Sequence, residues 1–203
     1  MQPDRVLLLG CGALAKEMAD VVLQNRLDHV TVECLPAKLH NTPAEIPRAV
    51  AGRLASGGYD RALIAYGDCG TAGALDAVLE EFGAERLAGA HCYEFFARSD
   101  VFTAIHDDDP RTFYLTDFLV RHFDRLVWAG LKLDRHPELL EAYFGNYVRV
   151  MYLSQFDSSD MVDRARRCAD KLGLRFEHRH VGLGELETKL IGFSRAPRIG
   201  AGA

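Results

Sequence analysis

The chain has no apolar run approaching the ~20 residues that cross a bilayer, so no membrane-spanning helix is expected. Its first residues, Met1-Gln2-Pro3-Asp4-Arg5, lack the basic segment and long apolar core of a secretory signal, which points to a cytoplasmic protein. Basic residues are in deficit, 24 against 29 acidic for a net charge of −5. No basic run or interleaved aromatic platform offsets this, so a nucleic-acid surface is not expected. The sequence also holds no P-loop, HExxH, GxSxG or CxxC, which removes several common routes to phosphate, metal and nucleophile sites. Gly10-Cys11-Gly12 starts like a dinucleotide fingerprint, but Ala15 stands where the last small turn would need glycine, and no acidic residue ends the following strand at Cys34-Leu35-Pro36.

What is present is an ordinary globular balance, 48% apolar and 26% charged over 203 residues, enough for one well-filled core. Apolar strands alternate with helices of about ten residues. Residues 5–10, 29–35, 59–66 and 86–90 read as strands, and residues 13–24, 43 onward and 72–82 as helices. That order implies right-handed βαβ crossovers and an α/β fold. The expected architecture is a three-layer, doubly wound, mostly parallel sheet of Rossmann-like type. A helical insertion interrupts it at about residues 111–147, where Leu115, Phe118, Leu119, Phe123 and Leu126 fall at helical spacing. The pair of insertion helices would either cap the sheet's functional edge or pack as ordinary helices. The alternation resumes with a strand at 148–153, a helix from Ser159 to Leu172 and a strand from Arg175 to His180. One domain over residues 1–193 is expected, with residues 194–203 as a disordered tail.

Parallel sheets hold their ligands at the carboxyl ends of the strands. Cys11, Cys69, His91 and Cys92 each follow directly on an expected strand, so all four should emerge along one rim. The centre of this pattern is Tyr66-Gly67-Asp68-Cys69-Gly70-Thr71, where a buried strand turns into a helix and the helix dipole would favour a thiolate. Five cysteines cannot all pair, and a reducing compartment disfavours disulfides. Cys11, Cys69 and Cys92 therefore form the candidate metal-ligand set, completed by His91 or by His40. Three thiolates with a histidine or an exogenous ligand suit zinc, or alternatively an iron–sulfur cluster. The plain alternative is three small apolar fillers at strand ends. Asp68, Glu94 and His122 are the acid–base candidates. Asp68 could equally cap the third helix, and His122 could be a hydrogen-bonded core histidine. Cys34 sits inside a strand and Cys168 in a charged helix, and neither joins the set.

The segments Leu9-Gly10-Cys11-Gly12-Ala13-Leu14, Cys34-Leu35-Pro36-Ala37-Lys38-Leu39-His40-Asn41, Tyr66 to Thr71, His91-Cys92-Tyr93-Glu94-Phe95 and Phe113 to Phe118 form a recognisable set. Over roughly residues 5 to 190 the chain resembles a bacterial and archaeal family known only as a domain of unknown function. In some genomes its members are encoded beside corrinoid-dependent methyltransferases. The resemblance implies a one-carbon connection and a corrinoid methyltransferase system as a partner. Three functions follow as expectations. The first is a metal-thiolate enzyme acting on a small polar or one-carbon substrate, with the metal as Lewis acid or activator of a thiol or water. The second is a metal-free two-cysteine enzyme, since Cys69-Gly70-Thr71 and Cys92 resemble aspartate/glutamate racemases in placing two thiols at strand ends. The Asn and Thr-His that follow those racemase cysteines are absent here. The third is a non-catalytic metal or cofactor carrier for a methyltransferase. Association into a homo-oligomer is compatible with all three.

Overall fold

A computed structural model describes residues 4–196. The expected α/β architecture with parallel strands is present, and its strands lie in two sheets. The chain divides into two compact units, one made of residues up to Phe95 together with those from Gly184 on, the other Phe96–Leu183.

The first unit is built on β1 (Val6–Cys11), whose six residues are all buried. An unbroken apolar run of this kind is what a strand covered on both faces requires. It pairs in parallel with β2 (Val30–Leu35) on one side and β3 (Arg61–Ala65) on the other, and β3 pairs with the two-residue β4 (Glu85–Arg86). The sheet order is therefore β2-β1-β3-β4. The chain leaves the central strand in one direction and returns to build in the other, which creates a topological switch point between β1 and β3. Side chains alternate along β1. Leu7, Leu9 and Cys11 face a core with α2 (Ile46–Ala55) and α3 (Ala74–Phe82), through Ile46, Val50, Leu54, Leu75 and Leu79. On the opposite face Gly10 lies under Met18 of α1 (Ala15–Gln24), where a Cβ would collide with the methionine side chain. The next helix, α4 (Cys92–Ala97), runs from the first unit into the second, to which α5 (Ser99–Asp108) belongs.

The second unit holds a parallel sheet of β5 (Thr112–Thr116), β6 (Arg149–Ser154) and β7 (Arg175–His180), in that order. The strand β6 is central and fully buried. Its core gathers Leu115, Val120, Phe123, Val150, Tyr152 and the apolar stripe of α8 (Ser159–Leu172). Two shorter helices, α6 (Asp117–Arg121) and α7 (Leu139–Phe144), lie in the connection from β5 to β6. The last helix, α9 (Gly184–Arg195), belongs to the first unit. Arg149 is 4% exposed, yet its guanidinium donates to Thr112 Oγ1, Asp108, Glu177 and the Ile105 carbonyl. A buried cation is tolerable only with partners of this kind.

The region expected as a helical insertion at 111–147 opens instead with a strand. Thr112-Phe113-Tyr114-Leu115-Thr116 is β-branched and aromatic, and pairing with β6 outweighs the helical spacing that Leu115 shares with Phe118. The helix expected from Arg111 to Ala129 shrinks to α6 and a single π-helical stretch, Asp124–Trp128. The fourth strand expected over 86–90 is paired only at Glu85 and Arg86. Of the tail expected from Ser194, the first two residues end α9, and residues 197–203 lie outside the described residues. Among the described residues no helix is long and apolar enough to cross a membrane.

Leu8 is wholly buried and Leu23 is 77% exposed, which sets up a direct contrast. Leu8→Ala should destabilise the protein by about 2–5 kcal/mol. Leu23→Ala should change stability by less than about 0.5 kcal/mol, with chemical denaturation as the measurement for both.

Candidate functional site

At the switch point the chain emerging from β3 is held against the loop that precedes α4. The Asp68 amide donates to the Gly89 carbonyl at 3.0 Å, and the Cys69 amide donates to the Ala90 carbonyl at 2.9 Å. Only glycine fits at position 67, because a Cβ there would lie 2.9 Å from the Gly89 oxygen and 3.1 Å from the His91 nitrogen. These two bonds tie the loop after β3 to the loop before α4 and bring Cys69 beside the segment carrying Cys92.

Asp68 organises the turn that follows. Its carboxylate accepts from the amides of Gly70, Ala72 and Gly73 and from the Thr71 hydroxyl, at 3.0–3.3 Å. Those bonds hold it below the usual carboxylate range, the Gly73 amide foremost. The turn places Cys69 and Ala72 at φ of +50° and +52°. For non-glycine residues this conformation costs on the order of 1–3 kcal/mol each, and such strain concentrates at functional sites. Asp68 does not cap α3, whose N-cap is Gly73; it is the acceptor for the loop that leads into that helix. The Cys69 sulfur is aided by the backbone amides of Gly67 and Cys92 rather than by α3, and burial outweighs them.

The thiols accordingly remain thiols. Burial pushes Cys11 up to about 11, against a lowering by the Ala13 amide, which donates to its sulfur at 3.3 Å. Burial likewise raises Cys69, with the Asp68 carboxylate adding to it and Arg86 opposing. Cys92 is raised furthest, by burial first and then by Cys69 and Cys11. Cys69 acts on Cys11 in the same way, so the three sulfurs lie within electrostatic reach of one another. Cys11 is 3% exposed, while Cys69 and Cys92 are partly accessible.

His40 is brought to this cluster. Its Nδ1 lies 3.1 Å from the Ala37 carbonyl and 3.7 Å from the Cys11 sulfur. A carbonyl can only accept, so Nδ1 carries the hydrogen, and in the neutral ring the lone pair belongs to Nε2. Burial lowers the His40 pKa, favouring that neutral ring. The ring stacks on Tyr66 at 5.9 Å between centroids. His91, exposed, lies within electrostatic reach of His40. Glu94 turns back on its own loop and accepts from the Ala90 amide at 2.8 Å. His122 belongs to the second unit, edge-on to Phe118 at 4.7 Å, its pKa lowered by burial and by three nearby arginines.

Several residues in this region were not anticipated. Tyr66, 1% exposed, has no nitrogen or oxygen partner for its hydroxyl among the described residues and reaches toward the Cys11 sulfur. Burial, with the nearby Cys11 and Cys69, raises its pKa. Glu17 is 2% exposed and within electrostatic reach of Cys92. Arg86 pairs with Asp76 and donates to the Leu87 carbonyl. The cue for Tyr66 and Glu17 was their position, one at the end of β3 and one in the first turn of the helix after β1. Cys34, exposed on β2, also lies within reach of Cys11. Cys168 is a core residue of the second unit. No group of three or more His, Cys, Asp or Glu side chains among the described residues is already arranged to hold a metal ion.

Residues 34–190 match the family model described as Protein of unknown function (DUF1638), and the chain belongs to that family. The match bears out the resemblance to a family of unknown function, and Cys11 lies ahead of the matched residues. No curated protein matches the chain.

Gly67→Ala should push the Gly89–His91 segment away and cost about 1–3 kcal/mol, read by chemical denaturation. It should also separate Cys69 from Cys92. Two units above its ordinary value of 9.0, Cys11 should react with iodoacetamide roughly 100-fold more slowly at pH 8 than an exposed thiol. The rate should rise about tenfold per pH unit up to about 11, as followed by peptide mass spectrometry.

Proposed function

For this member of the family we propose a metal-thiolate site in which Cys11, Cys69 and Cys92 take up a soft or borderline cation, zinc first and an iron–sulfur cluster as the alternative. The observation that carries the reading is that Cys11, Cys69 and Cys92 come from separate segments into electrostatic reach of one another, with His40 Nδ1 3.7 Å from the Cys11 sulfur. Burial and mutual repulsion make three thiolates costly without a cation, and a divalent cation at their centre reverses the sign of that repulsion. Binding would release thiol protons and require the loops to close by a small adjustment. His40 or His91 would complete the shell; His40 lies against Cys11, and with its Nδ1 bonded to Ala37 it would have to bind through Nε2. Zinc in such a site acts as a Lewis acid or activates a thiol or water, here on a small polar or one-carbon substrate. Tyr66 can donate a hydrogen bond to a bound oxygen. Asp68 and Glu94 accept backbone amides in the resting chain, so their contribution is to hold the loops, and proton transfer through either, or through His122, would need rearrangement. A corrinoid methyltransferase system as donor or acceptor remains part of this proposal.

A metal-free two-thiol enzyme is the second reading, favoured by thiols that stay protonated and by the lack of a ready-made ligand trio among the described residues. Anaerobic purification with elemental analysis separates the two. The metal reading predicts about one equivalent of zinc, or of iron with a brown colour, lost in both Cys69→Ser and Cys92→Ser. It also predicts that a chelator exposes these thiols to alkylation. Metal-free protein whose thiols alkylate equally with and without chelator would overturn it.

A further inference from the structure

The carboxyl rim of the second sheet carries a cluster of its own. At the end of β6 the Ser154 side chain is 1% exposed, and its Oγ lies 3.0 Å from His178 Nε2 and 3.1 Å from His180 Nδ1. The two histidines occupy alternate positions on the edge strand β7, so both project from one face while Arg179 between them projects from the other. The Ser154 carbonyl accepts from the amides of Val181 at 3.0 Å and Gly182 at 3.2 Å, which fixes the end of β6 against the end of β7. The His178 ring stacks on Tyr152 at 5.2 Å, and Tyr152 in turn donates to buried Asp117 at 2.7 Å. The stacking on Tyr152 fixes the plane of the His178 ring.

One hydroxyl proton can serve only one of the two ring nitrogens, so the other must approach the oxygen as an N–H donor. The two separations from Ser154 Oγ also match those between ligands of one ion. Donors bound to one ion at about 2.1 Å stand roughly 3.0 Å apart when octahedral and roughly 3.4 Å apart when tetrahedral. The two separations to Ser154 Oγ fall at the octahedral end of that range. Both histidines are exposed, leaving further positions open to water or a ligand, and the carboxylates of Asp117 and Asp157 lie within electrostatic reach of His178.

We propose that His178, His180 and Ser154 form a binding site for a divalent late transition metal, with zinc, nickel or copper preferred over magnesium or calcium by the imidazole donors. The site shares no residue with the three-thiol cluster and does not depend on it.

The test is equilibrium dialysis of the full chain against Zn²⁺, with the imidazole proton resonances recorded in parallel. The wild-type chain should bind one zinc equivalent that His178→Gln and His180→Gln each abolish and that Cys69→Ser leaves intact. Ser154→Ala should weaken that equivalent by at least tenfold, and the ring protons of His178 and His180 should shift together as zinc is added. Because both histidines lie exposed on an edge strand, their replacements should keep the wild-type circular dichroism and melting temperature. Zinc binding unchanged in both histidine variants, or ring resonances that do not move, would overturn the proposal. Loss of zinc only in Cys69→Ser would overturn it too, while leaving the thiol site standing.

Discussion

Two backbone hydrogen bonds, from Asp68 to Gly89 and from Cys69 to Ala90, hold the first unit's candidate site together. They exist because position 67 has no side chain, so two backbone segments meet where any Cβ would hold them apart. Through them the loop after β3 is fastened to the loop before α4 rather than left as a free connection. The strain accepted at Cys69 and Ala72 is local to that loop, and the Asp68 carboxylate stabilises it by gathering the amides the strained backbone exposes. The carboxylate that might have served as an acid or base thus acts first as a structural acceptor.

The thiol cluster rests on the same geometry. Cys11 comes from the end of the central strand, Cys69 from the strained turn, and Cys92 from the first turn of α4. Burial outweighs the local hydrogen bonds that would favour thiolates, so the pKa of each of the three sulfurs is raised. The second sheet gathers polar side chains in the same place. Its carboxyl rim gathers Asp117, Ser154, Gln155 and His180 at or just past the ends of three parallel strands.

Much of this was legible in the sequence because strand ends are legible. The apolar runs of β1 and β3 and the residues that follow them located Cys11 and Cys69, and parallel topology then located the rim. Three things were hidden. The strand β5 shares Leu115 with a helical spacing, and pairing with β6 decides the matter only in three dimensions. The direction of the thiol shifts depends on how deeply each sulfur is buried, which spacing alone does not reveal. Finally, His178-Arg179-His180 reads as an ordinary polar edge strand until β6 places Ser154 between the two rings.

The convergence of the three strand-end thiols is tested most directly by a trivalent arsenical, which binds only where two thiols lie close together. After digestion of the treated, unloaded protein, mass spectrometry should find one phenylarsine oxide bridging two of Cys11, Cys69 and Cys92, with Cys168 unmodified. A bridge absent altogether, or formed only through other cysteines, would contradict the account.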